Sequence, residues 1–156
     1  FSLEHISEWI GDTKWDVIHF NWGLHDLKRV KVAGTSENSD DPNDPYQANI
    51  QQYEINIKKL VNILKKTDAR LIFATTTPFV RGVSPFRDPS DTAKYNEVAL
   101  IIMKTANIKV NDLHSLVLSR ISTLQRKHNV HFNPKGSQVM ADETVKVILV
   151  ELSLAK

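Results

Sequence analysis

Apolar residues recur along this chain with two alternating periods. Leu3, Ile6 and Ile10 stand at helical spacing with Trp9 beside them, and Gly11 is placed to stop that helix. Trp15 to Asn21 then reads as a short apolar, β-rich run, a buried strand. Ile50, Tyr53, Ile57, Leu60, Val61 and Leu64 restore the helical stripe and predict an amphipathic helix ending near Lys66. Leu71 to Thr75 is a second apolar run, bounded by Asp68 and Pro78, which suits a strand buried on both faces. Tyr95, Val98, Ala99, Ile102, Met103 and Ala106 mark the next helix, and Ile108 to Val110 a third, shorter strand. Leu113, Leu116, Val117, Ile121 and Leu124 predict one further helix, ending in the basic Arg126-Lys127-His128 that a helix C-terminus favours. Asn133 before Pro134 is a cap followed by a proline at the first helical position, so the last helix starts there and runs through Val145, Ile148, Leu149 and Leu152.

Strands separated by helices give a parallel sheet with helices on its faces, connected right-handedly. The expected architecture is therefore α/β, three layers deep, with residues 1–156 forming one domain and no internal repeat. Two stretches stand outside the periodic pattern. Gly34 to Pro45 is a long polar loop, and Pro78 to Ser90 is a proline-punctuated one holding Phe79, Arg81, Phe86 and Arg87.

Composition narrows the function. The chain has no cysteine, which removes disulfides, thiolate nucleophiles and zinc-thiolate sites together. A net charge of +2 with interspersed signs provides no basic stripe, so nucleic acid is not an expected partner. The longest apolar run, Val98 to Met103, falls far short of the roughly 20 residues of a membrane-spanning helix, so no span is expected.

Chemistry-bearing residues gather in two clusters. Trp22-Gly23-Leu24-His25-Asp26 follows the first strand, and His128-Asn129-Val130-His131-Phe132-Asn133-Pro134 precedes the last helix. In an open parallel sheet, ligands sit beyond the carboxyl ends of the strands, where both clusters would meet. His19 lies inside the first strand between Ile18 and Phe20 and reads as a core histidine with a satisfied ring.

With both clusters placed, the chain resembles the SGNH, or GDSL-type, hydrolases, serine esterases and lipases on a flavodoxin-like sheet. Gly23-Leu24-His25-Asp26 is similar to the family's third block, Gly-x-Asn-Asp, with histidine in the asparagine position. His131, followed by Phe132, Asn133, Pro134 and Gly136, is similar to the fifth block, whose histidine is the catalytic base. The resemblance implies that His131 takes the nucleophile's proton and that His25 offers its N–H to the oxyanion, with Gly23 and Asp26 supporting that loop. Trp22, Phe79 and Arg81, along with Tyr46 and Phe86, emerge at the same sheet edge as candidates to line an acyl or sugar pocket. Arg29, Arg81 and Arg87 could attract an anionic substrate, although scattered loop arginines are usually solvated charges.

Two departures qualify the resemblance. The family's nucleophilic serine stands in a Gly-Asp-Ser block after the first strand of its fold, and no such segment occurs here; Gly11-Asp12-Thr13 precedes a strand and reads as a helix-stop turn. By this comparison the chain is the C-terminal part of the family domain, without its first strands. The family also holds an aspartate two or three residues before the base, where this chain has Asn129 and His128. Asn129, a backbone carbonyl or a remote acid would have to stand in.

The implied activity is hydrolysis of a short acyl ester, for example an acetyl group on a carbohydrate, with the serine on a segment outside this chain. The alternatives are a degenerate relative that binds a glycan or ester without cleaving it, and a metal-dependent hydrolase using His25, Asp26, His128 and His131. No cofactor and no metal is expected under the first reading. A sheet lacking its first strands exposes an unpaired edge, so an N-terminal segment or a second chain is expected to complete the fold. Secretion or a periplasmic location is what the family resemblance implies.

Overall fold

The computed structural model describes residues 1–154. The three apolar runs form three parallel strands, β1 (Val17–Phe20), β2 (Arg70–Ala74) and β3 (Lys109–Asn111), in the spatial order β1-β2-β3. Around them lie α1 (Ser2–Ile10), α2 (Ile50–Leu64), α3 (Asp91–Ala106), α4 (Leu113–Leu118), α5 (Ile121–Leu124) and α6 (Pro134–Ser153). A short 3-10 turn, Lys65–Thr67, extends α2 to about the point its stripe predicts.

Strand register sorts the side chains into layers. Ile18 pairs with Leu71, and Phe20 with Phe73, which in turn pairs with Val110. Directly paired residues in a parallel sheet point to the same face, and these pack into the main core with Tyr53, Ile57 and Leu60 of α2 and Ala99 and Met103 of α3. The opposite face carries His19, Ile72, Ala74 and Asn111. Helix α6 covers it, packing on β1, β3, α4 and α5. The Asn111 side-chain amide sits 3.2 Å from Thr144 Oγ1 on α6 and 3.1 Å from His19 Nε2. His19 is thus half-buried and partnered, and burial holds its pKa below the usual histidine value.

Helix caps follow the sequence closely. The side chain of Asn49 accepts from Gln52 N at the start of α2, and that of Asn133 accepts from Gly136 N at the start of α6, with Pro134 at the first helical position. The single helix expected over Leu113 to Leu124 is instead two short helices. The second of them stops at Leu124 for a reason that lies beyond it. Leu124 O accepts from Asn133 N, and Gln125 runs extended to bridge Phe132 in antiparallel fashion, so the chain must leave the helical path to form that pairing. Arg126, Lys127 and His128 therefore occupy the tip of a hairpin-like loop rather than a helix C-terminus, and His128 has a left-handed φ of 50°.

Strand β1 lies at the edge of the sheet, with a ladder partner on one side only among the described residues. A groove of about 280 Å³ runs along it, lined by residues that include Trp9, Trp15, Ile18, His19 and Trp22.

Candidate active site

The turn carrying His25 is fastened from beneath. Gly23 has φ +148°, and a Cβ there would overlap Thr76 Oγ1, so only glycine allows this close crossing of two strand ends. Trp22 O accepts from Tyr53 Oη at 2.8 Å and from Thr76 Oγ1 at 3.3 Å, while Asn21 donates to Ala74 O at 2.7 Å. Buried Asn96 locks Thr76 in turn, accepting its N–H and donating to its carbonyl, both at 2.8 Å. Leu27 N closes the turn onto Gly23 O. His25 stands exposed at its tip.

The second cluster is held by a buried glutamine. Gln125 Nε2 donates to Val130 O at 3.0 Å and to Pro78 O at 3.2 Å, and its Oε1 accepts from Val80 N at 2.8 Å. It clips the His131 loop to the Pro78–Ser90 loop. Arg126 N donates to His131 O, and Asn133 Nδ2 donates to Thr123 O. Gly136 lets the start of α6 approach this loop, because a Cβ there would overlap Leu124 O and crowd the Phe132 ring.

Within that frame, Asn129 Oδ1 lies 2.6 Å from His131 Nδ1 and accepts the backbone N–H of His131 at 2.9 Å. A backbone N–H can only donate, so the Asn129 atom facing it is the carbonyl oxygen. The same oxygen faces Nδ1, which must then carry its proton and leave the Nε2 lone pair free. His128 is turned elsewhere. A Cβ at Gly82 would lie 3.4 Å from its Nδ1, so its ring sits against the Pro78–Ser90 loop, and no hydrogen bond joins it to His131 among the described residues.

The two clusters share one electrostatic environment. Partial desolvation at the foot of the ring lowers the His25 pKa first, and Arg87, Lys28 and His131 then push it further down. A neutral His25 follows, with one ring N–H to donate. Asp26 behaves differently. Burial raises its pKa to about 6, opposed by its own backbone N–H and that of Gly23. Burial raises the Tyr53 and Tyr95 hydroxyls first, and the Asp26 charge beneath the turn raises both further. Asp26 therefore belongs to the base of the turn, and its carbonyl accepts from Ala48 N there.

Several expected pocket residues have other duties. Phe79 is buried in the main core, so its ring is taken up by packing rather than offered to a substrate. The Trp22 indole donates to Ser2 Oγ at 3.0 Å and stacks obliquely on Phe20, facing α1. Arg81 is exposed. Tyr46 lies under Arg29, whose guanidinium carbon is 3.6 Å from the ring centroid, and donates to Asp91 Oδ2 at 2.9 Å. Arg87 is buried, contrary to the solvated charge its loop position suggests. Among the described residues no three His, Asp or Glu side chains come together as a metal site. Gln125, Thr76 and Asn96 carry no recognisable motif, and their importance appears only once the loops they join are placed.

An open parallel sheet with histidine-bearing loops at its carboxyl edge places the chain among α/β enzymes that work at that edge. The family model for GDSL-like lipase/acylhydrolase matches residues 2–144, and the chain belongs to this family of ester-hydrolysing enzymes. No curated protein matches it in sequence. Among solved structures, a lipase/acylhydrolase from Enterococcus faecalis superposes with a TM-score of 0.73 at 16% identity, over 94% of this chain and 67% of that one. An acetyl xylan esterase, AlAXEase, gives 0.70 at 14% identity, over 94% and 74%. A catalytic mutant of an acetylxylan esterase from Geobacillus stearothermophilus gives 0.65 at 18% identity, over 96% and 66%. At these identities the likeness is one of fold, and this chain spans about two thirds to three quarters of each neighbour.

Proposed function

We propose that this chain supplies the base and part of the oxyanion site of an esterase that cleaves a short acyl ester by a serine–histidine route. The observation that carries the reading is the contact between Asn129 Oδ1 and His131 Nδ1, which presents a free Nε2 lone pair on an exposed loop at the sheet edge. In this scheme Nε2 takes the proton of an attacking serine hydroxyl and returns it to the leaving alcohol. His25, neutral and across the edge, donates its N–H to the developing oxyanion. The serine comes from a segment that pairs with the free side of β1, whether upstream in the same polypeptide or on a second chain. Acetylated carbohydrate is the substrate class favoured here, since acetyl xylan esterases stand among the structural neighbours.

The test is labelling of the complete protein with a serine-directed organophosphonate, together with acetate release from acetylated xylooligosaccharide. Labelling that disappears when the substrate protects the site supports the reading. Absent labelling combined with retained glycan binding would instead identify a binding protein, a reading that the asparagine in place of an aspartate keeps in view.

A further inference from the structure

Two buried cations stand beside His25 with no carboxylate paired to either among the described residues. Arg87 is only 6% exposed and Lys28 only 7%. Arg87 donates from Nε to Leu24 O at 3.0 Å, the carbonyl directly before His25, and from Nη1 to Pro85 O at 3.1 Å. Lys28 Nζ donates to Asn38 Oδ1 at 2.6 Å and to Ser36 O at 3.3 Å. A backbone bond from Arg29 N to Phe86 O, 2.9 Å long, lays the two segments side by side. Among the described residues neither cation lies within ion-pair distance of an Asp or Glu, whereas Arg70 pairs with Glu151 and Lys94 with Asp91.

A buried charge facing only neutral carbonyls is incompletely compensated, and two like charges side by side repel. Burial first and the Arg87 charge second lower the Lys28 pKa, and both cations add to the desolvation that lowers His25. The Nη2 donors of Arg87 have no protein acceptor among the described residues and are not sealed from solvent. Such a cluster, set at the edge of a sheet where ligands bind, is arranged to receive an anion.

We propose that Arg87 and Lys28 form an anion-binding subsite beside His25, and that the ester handled there carries a carboxylate on its acyl or its alcohol side. This inference rests on the esterase reading above. Arg87 offers the planar fork that suits a carboxylate, and Lys28 adds a point charge.

Two matched substrate pairs test it in the complete protein. Monomethyl succinate against methyl butanoate places the anion on the acyl side, and 4-acetoxybenzoate against phenyl acetate places it on the alcohol side. One anionic ester is expected to exceed its neutral partner in kcat/KM by roughly tenfold or more. The preferred pair identifies the side. That ratio should fall toward one in Arg87→Gln and in Lys28→Met; a ratio unchanged in both folded variants overturns the assignment. Equal rates within both pairs of the wild type overturn the subsite while leaving the esterase intact, and this comparison stands even if neither variant folds. Hydrolysis of none of the four esters, together with no acetate release from acetylated xylooligosaccharide, removes the esterase reading. Succinate titration followed at the His25 ring by NMR then decides the subsite alone, with saturable binding supporting it and no binding overturning it.

Discussion

Asn129 places one oxygen against both nitrogens that His131 presents to it, the backbone N–H at 2.9 Å and ring Nδ1 at 2.6 Å. The pairing does part of what an aspartate does for a catalytic histidine. It fixes the tautomer and the ring orientation, but it brings no negative charge to stabilise an imidazolium. A carboxylate in the same place would add a charge-assisted bond worth about 1 kcal/mol beyond a neutral one. Asn129→Asp is therefore expected to raise kcat by roughly fivefold to tenfold, and Asn129→Ala to lower it by about tenfold to a hundredfold. Steady-state kinetics on one acetyl ester checks both; equal rates in all three proteins would detach Asn129 from the reaction.

His131 is exposed and holds no part of either core cluster through its side chain. His131→Ala should therefore leave stability within about 0.5 kcal/mol of the wild type. Turnover should fall by on the order of a thousandfold or more if the ring is the base. Thermal unfolding and ester hydrolysis on the same preparation separate the two effects, and full retained activity would remove His131 from the mechanism.

Gly23 is a structural requirement of the His25 turn. With φ +148° and Thr76 Oγ1 in the space of a Cβ, Gly23→Ala is both strained and overpacked. The expected cost is at least about 2 kcal/mol in denaturant unfolding. Gly34, with φ +81° but nothing near its Cβ position, is the control, and its alanine variant should lose less.

Asp26 makes stability fall as pH rises through the mildly acidic range. Its folded pKa is raised from 3.8 to about 6, so the folded state holds this proton more tightly than the unfolded chain. The associated stability is fully present below pH 3.8 and is lost as pH climbs through about 6. Two pKa units bound the effect at about 3 kcal/mol. Asp26→Asn should flatten this limb of the stability curve between pH 4 and 7, measured by urea unfolding; an unchanged limb would show that Asp26 is solvated.

The sequence by itself determined the elements whose cause is local. The helical stripes of α2 and α3, the cap at Asn133 with Pro134, and the three apolar strands depend on side-chain spacing and short-range hydrogen bonds, and they appear where spacing puts them. The residue types at the sheet edge, His25, Asn129 and His131, were also legible. Tertiary structure decided how those residues are partnered. Whether Asn129 or His128 partners His131 depends on the left-handed turn at His128 and on the Gln125 clip between two loops about 45 residues apart, geometry that no periodicity encodes. Tertiary structure likewise ended the helical run expected after Leu113 at Leu124, because Gln125 leaves the helix to bridge Phe132. It also moved Phe79 into the core and buried Arg87, since burial depends on what other segments deliver to a position and not on the loop that carries it.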